Sequence, residues 1–234
     1  MIQIFNQILY QPIFNLLVFI YNILPGSDFG VAIVTLTILI RFLFIPLSIK
    51  TLRSQREMAK LQPKLKELQD KHKNDKQAIG QATMALYKEH KVNPFSGCLP
   101  LLIQLPILIA LYQAFNYSLD PKSLDILYPF VKNPGLINEI SFGFLNLSTK
   151  NWVLPLMAGS FQFLQSKLAT SASAKYSTPG QDATAQIMNR QMLYFFPVMI
   201  IVISWNLPAG LVLYWVVTTI FSIGEQLYIN KKYQ

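Results

Sequence analysis

Charge is scarce in this 234-residue chain, at 13% of residues against 52% hydrophobic. Acidic residues are scarcer still, 11 against 20 basic, for a net charge of +9. Such an excess can signal nucleic acid, but here the basic residues cluster in polar stretches between long apolar blocks, where they follow membrane topology. No direct nucleic-acid function is expected. The single cysteine, Cys98, excludes an internal disulfide and a cysteine-based metal site. His72 and His90 share one polar stretch without ligand-like spacing, so neither a metal nor a cofactor is expected. The chain has no Gly-x-x-x-x-Gly-Lys-Ser/Thr run to cradle nucleotide phosphates, and no nucleophile–base pairing stands out. It does not read as an enzyme. The first residues show neither a basic n-region with a small-residue cleavage site nor an Arg-rich transit segment, which favours a bacterial plasma membrane.

What is present is apolar sequence in spanning lengths. Five blocks, 30–50, 95–115, 152–169, 192–207 and 209–229, can each form a membrane helix. The class is an all-α polytopic membrane protein. Residues 2–24 are also apolar, but Gln3, Gln7, Gln11, Asn15 and Asn22 share a stripe of about 120°. That pattern predicts an amphipathic helix over 1–25 lying in the membrane interface and ending at Pro25-Gly26-Ser27-Asp28. Residues 51–92 are basic and cannot span. Met58, Leu61, Leu65 and Leu68, then Ile79, Ala82 and Leu86, recur at helical spacing on either side of Lys73-Asn74-Asp75. This predicts a helical hairpin outside the bilayer, with Pro63 kinking its first helix or beginning a second part. Residues 116–151 read as an irregular loop, and the Ser/Thr/Ala-rich 170–189 as a flexible one. Leu207-Pro208-Ala209-Gly210 is so short a turn that the last two spans must be antiparallel neighbours.

Counting basic residues orients the chain. Sixteen Lys and Arg fall on the side of the hairpin, the 170–189 loop and the tail 230–234, and three (Lys122, Lys132, Lys150) on the other. The hairpin and C-terminus are therefore expected inside, with the N-terminus outside.

One residue breaks the first span. Arg41 sits in a run where 13 of 21 residues are Val, Ile, Leu or Phe. A central Arg costs about 3 kcal/mol to insert, an amount its apolar neighbours offset at about 0.3–0.6 kcal/mol each. Gly30, Thr37 and Ser48 fall within about 40° of it on the helix, whereas Ile33, Ile40, Phe44 and Leu47 mark other faces. Glu225, the nearest candidate partner, belongs to the cytoplasmic end of the last span, and no Asp or Glu is placed at mid-membrane depth. An unpaired guanidinium facing a water-filled recess is the expectation. Gln104, between Pro100 and Pro106, either bridges helices or lines the same recess.

Several stretches in order resemble the YidC insertase family: Ile40-Arg41 with Pro46-Leu47, Leu61-Gln62-Pro63-Lys64, Met84-Ala85-Leu86-Tyr87-Lys88, Val92-Asn93-Pro94, Gly97-Cys98-Leu99-Pro100-Leu101-Leu102-Ile103-Gln104, Pro106-Ile107 and Pro208-Ala209-Gly210-Leu211-Val212-Leu213-Tyr214. The resemblance covers about 28–229. It implies a five-helix core with a groove open to cytoplasm and lipid but closed toward the outside. It further implies that Arg41 is the groove arginine and that Thr37, Leu105, Leu108 and Ile203 contact substrate. Implied partners are nascent membrane proteins and lipid, with ribosome and Sec translocon met through cytoplasmic loops. A large extracytoplasmic domain, a lipoprotein signal and a long basic tail do not appear in this sequence, and Asn206 stands where many members carry an aromatic. Two other classes compete with this reading, an Arg41-dependent anion transporter or channel and a non-catalytic assembly scaffold. Against the transporter, the spans lack acidic coupling residues and show no inverted repeat.

Overall fold

The structure, a computed structural model, describes residues 2–72, 75–93, 99–118, 126–174 and 190–232. Lys73-Asn74, Pro94, Gly97-Cys98, Lys122, Lys175 and most of the expected 170–189 loop lie outside the described residues.

The N-terminal helix α1 is built from Ile2–Phe5, a π-helical turn Asn6–Tyr10 and Gln11–Ile23. Helix α2, Phe29–Lys60, carries the Arg41 span straight out into the basic region. Helices α3 (Gln62–Lys71) and α4 (Lys76–Glu89) form the hairpin. Then come α5 (Leu99–Ser118), a two-stranded antiparallel hairpin of β1 (Ile140–Ser141) and β2 (Leu145–Asn146), and α6 (Val153–Ala174). Helix α7 joins a π-turn Gln191–Phe195 to Phe196–Ser204, and α8, Ala209–Lys232, ends the chain. By length and composition, Gln3–Ile23, Phe29–Lys60 and Ala209–Lys232 are each able to cross a membrane.

Several polar side chains inside these helices satisfy themselves locally. Thr35, Thr37, Thr51, Thr219 and Ser222 each donate to the carbonyl four residues back, so a helix in lipid carries them without a water partner. Helix α8 is the central post, packing along α6 and α2. Between α2 and α8, Phe42 meets Phe221 edge-on at 5.5 Å, and Arg56 donates to the Ile229 carbonyl at 3.0 Å. This cation satisfies one of the orphan carbonyls of the helix end. Helices α6 and α7 approach closely at Gly159, where an added Cβ would collide with Ile201.

The basic region departs from expectation in its joints. No break occurs at residue 51: α2 continues to Lys60, and Pro63 stands in the first turn of α3, where its missing N–H costs nothing. Leu61, Leu65, Leu86 and Val92 close a small separate core, flanked by Met58, Leu68 and Tyr87. Asp75 caps α4 by accepting from the Gln77 and Ala78 amides.

The stretch after α5 is more organised than an irregular loop. Asp28, the N-cap of α2, accepts from the Val31 amide at 3.0 Å, from Ser141 Oγ at 2.6 Å and from the Phe142 amide at 2.6 Å. Ser141 Oγ in turn accepts from the Gly30 amide at 2.5 Å. A Cβ on Gly30 would lie 2.7 Å from that oxygen, so glycine is what lets the β-hairpin seat on the helix end. The same segment reaches α8, whose Ala209 and Gly210 amides donate to the Thr149 and Leu147 carbonyls at 2.9 and 3.0 Å. Residues 126–151 thus cap two helix N-termini at once.

The polar stripe of α1 turns toward this cap. Gln11 and Asn15 donate to the Ile126 carbonyl, Asn15 accepts from the Tyr128 amide at 2.6 Å, and Asn22 donates to Lys132 O at 2.6 Å. Its opposite faces pack on α2 and α5, with Phe14, Leu17 and Val18 fully buried.

Candidate substrate groove

Arg41 lies 12 residues into α2, about 18 Å from its N-terminal end, and Glu225 lies 16 residues into α8, about 24 Å from its own. Both helices start under the same cap, so the two depths differ by about one turn. An extended arginine spans that distance. Arg41 Nη1 stands 3.8 Å from Glu225 Oε2, with the two side chains 21% and 9% exposed. The expectation of an unpaired Arg41 is therefore corrected: depth along the sequence placed Glu225 near the cytoplasmic end but ignored the reach of the side chains. The pair is loose. At this separation it is an ion pair without a hydrogen bond.

Around it, three helices contribute polar groups. Gln104 of α5 donates to the Tyr214 hydroxyl at 2.5 Å, which ties α5 to α8 and gives Gln104 the bridging role. Tyr214 is almost fully buried and stands within electrostatic range of Arg41. Ser48, two turns beyond Arg41, lies beside the Glu225 carboxyl. Sequence reading missed Tyr214 as a member of this cluster and, having named Glu225 as the nearest candidate partner, set it aside on depth. Tyr214 ended one of the quoted motifs, and Glu225 was the only acidic residue in the last span, so both signals were present.

The apolar positions divide. Leu105 and Ile203 are 45% and 44% exposed, on α5 and α7 respectively. Leu108 is half-buried and packs on the core. Thr37 is 1% exposed with its hydroxyl bound to the Ile33 carbonyl, so it is a packing position rather than a groove surface in this state. Phe44, read as marking another face, lines an apolar crevice with Pro12, Ile13, Leu16, Ile40, Leu43 and Ile107. Among the described residues no group of three or more His, Cys, Asp or Glu could hold a metal ion.

Residues 19–234 match the sequence model of a family described as 60Kd inner membrane protein. The chain belongs to this family. Family membership and the apolar helices make it a multi-pass bacterial inner-membrane protein. It is 39% identical over 206 residues to a protein of Fusobacterium nucleatum named membrane protein insertase YidC, with 88% of each chain covered. A Syntrophus aciditrophicus protein of the same name is 39% identical over 224 residues, covering 95% of this chain but 36% of its own length. The chain thus spans nearly all of one family relative and about a third of the other. Among solved structures, one described as an active YidC insertase with the first transmembrane domain resolved superposes with a TM-score of 0.62. That match covers 98% of this chain and 47% of the other at 24% identity, and it shows the shared fold.

Proposed function

We propose that this chain is a membrane-protein insertase and chaperone that moves small integral membrane proteins through a hydrophilic groove open to cytoplasm and lipid. The observation that carries the reading is Arg41. A guanidinium is never neutral, and here it keeps a fifth of its side chain accessible inside a largely apolar helix bundle. Carrying a polar segment across hydrocarbon costs several kcal/mol for each unsatisfied group. A polar cluster of Arg41, Gln104, Tyr214 and Glu225 shortens the dehydrated path, and Arg41 attracts an acidic or polar client segment. Leu105, Leu108 and Ile203 would receive the client's apolar span, which then leaves sideways into lipid, driven by its own burial. The cap over the N-termini of α2 and α8 supports closure toward the outside. Thr37 joins the path only if α2 separates from its neighbours.

No catalytic chemistry and no cofactor enter this mechanism. The partners it needs are nascent membrane proteins and lipid, and the ribosome and Sec translocon would be met through the basic hairpin and inner loops. The sixteen-to-three basic asymmetry supports the C-terminus and hairpin in the cytoplasm and the N-terminus outside. Photo-crosslinking from Leu105 and Ile203 to a stalled nascent membrane protein tests the groove. The control is Leu39, 49% exposed and about 160° around α2 from Arg41. Labelling at both positions well above Leu39 is expected; labelling no stronger than Leu39 would remove the groove.

A further inference from the structure

Resting on the insertase reading, we propose that Glu225 is a specificity-determining residue: an internal counter-anion that holds Arg41 between clients and that a client's acidic group must displace. The geometry points to exchange rather than to a permanent strut. Arg41 and Glu225 approach through one nitrogen and one oxygen at 3.8 Å, outside hydrogen-bond range. A guanidinium offers five N–H donors, and among the described residues Arg41 makes no hydrogen bond with them. On the other side, Glu225 Oε1 is buried without a hydrogen-bond partner among the described residues, and the Ser48 hydroxyl is the neutral group that supports the carboxylate. Charge holds this pair, and shape does not lock it. Bidentate arginine–carboxylate contacts, which do lock, place two parallel N–H groups on two oxygens.

Exchange also solves a problem that a bare Arg41 would create. An acidic group captured by an uncompensated cation in a low-dielectric site would be held too long, because release would strand the cation. With Glu225 on hand, one ion pair opens as another forms, and the carboxylate left unpaired while the client is bound drives the client off again as Arg41 and Glu225 re-pair. Capture is thereby weakened and exit kept fast, the balance that any conducting path needs. Glu225 therefore acts on clients through Arg41 and discriminates by charge: a client without an acidic group leaves the pair intact.

The test compares dwell times of two stalled clients that differ only in acidic versus neutral residues of the translocated segment. Photo-crosslinks from Leu105 are followed after release of the chain, in the full protein, Glu225→Gln and Glu225→Asp. Glu225→Gln is expected to lengthen the acidic client's dwell about tenfold relative to the neutral client's, within the usual range of coupling between two sites. Glu225→Asp should restore fast release. An unchanged acidic-to-neutral ratio in Glu225→Gln overturns the proposal, and so does a parallel loss of both crosslinks, the signature of a merely structural carboxylate. If the unsubstituted protein labels neither client, the insertase reading itself has failed, which is a separate result.

Discussion

At the scale of single residues, Arg41 and Asp28 show how differently two charges are handled. Arg41 was conspicuous in the sequence because a lone cation in an apolar run has a known insertion cost. Its partner was not, because residue counting along two helices gives backbone depth only, and two long side chains close a gap of one turn. Thr37, which the family resemblance makes a substrate contact, is buried in this arrangement with its hydroxyl bound to its own helix backbone, and needs no water there. Removing Arg41 alone strands Glu225, so Arg41→Ala is expected to lower thermal stability in detergent by up to about 3 kcal/mol, and Arg41→Ala with Glu225→Gln should recover most of it. Arg41→Lys keeps the charge and should retain client insertion that Arg41→Ala loses, with complementation of a depletion strain as the readout.

Asp28 works outside the span. Partial burial by itself would raise its pKa, but hydrogen bonds from Ser141 and from the Phe142, Val31 and Gly30 backbone amides outweigh it and hold the carboxyl below its usual range. A carboxyl whose folded pKa is depressed contributes stability that is complete above its unfolded pKa, about 3.9, and fades as pH falls through the folded value. Asp28→Ala is therefore expected to lose about 1–2 kcal/mol at neutral pH, as a lost N-cap does. The difference from the unsubstituted protein should narrow below about pH 4, read from melting temperatures across a pH series.

At the scale of elements, long apolar runs were legible and short irregular ones were not. All five predicted spans fall on helices, because long apolar runs are written directly in the residues, but among the described residues of these five only α2 and α8 have the length and composition to cross a membrane. The cap of residues 126–151 escaped notice because two strands of two residues have no period to detect, and its contacts to Asp28, Gly30 and Ala209 join positions more than 50 residues apart. Close helix approach was equally invisible: Gly159 reads as one more small residue until Ile201 is set against it. Gly159→Ala should lower stability by about 1–3 kcal/mol through overpacking, and Ile201→Ala on top of it should relieve part of that loss, both followed by thermal unfolding in detergent. For α1, in-plane placement remains our proposal, supported by the spending of Gln11, Asn15 and Asn22 on the cap. Nitroxide labels at Ile8 and Ile23, both exposed, should then report similar depths. A difference of about 20 Å, at 1.5 Å for each of the intervening residues, would make α1 a sixth span.

For the whole molecule, the arrangement is a bundle with two helix N-termini capped at one end by residues 126–151, a polar cluster part-way along, and a basic hairpin on a continuous 32-residue helix at the other end. These parts suit passage of a short polar segment from the hairpin side and lateral exit of an apolar one. The central claim is that this chain moves client proteins into a bilayer. The direct measurement is insertion of a short single-span membrane protein into liposomes containing only this protein, scored by protease protection of the translocated segment. The account predicts protection well above protein-free liposomes, reduced by Arg41→Ala and retained by Arg41→Lys. Protection equal to that of protein-free liposomes would contradict it.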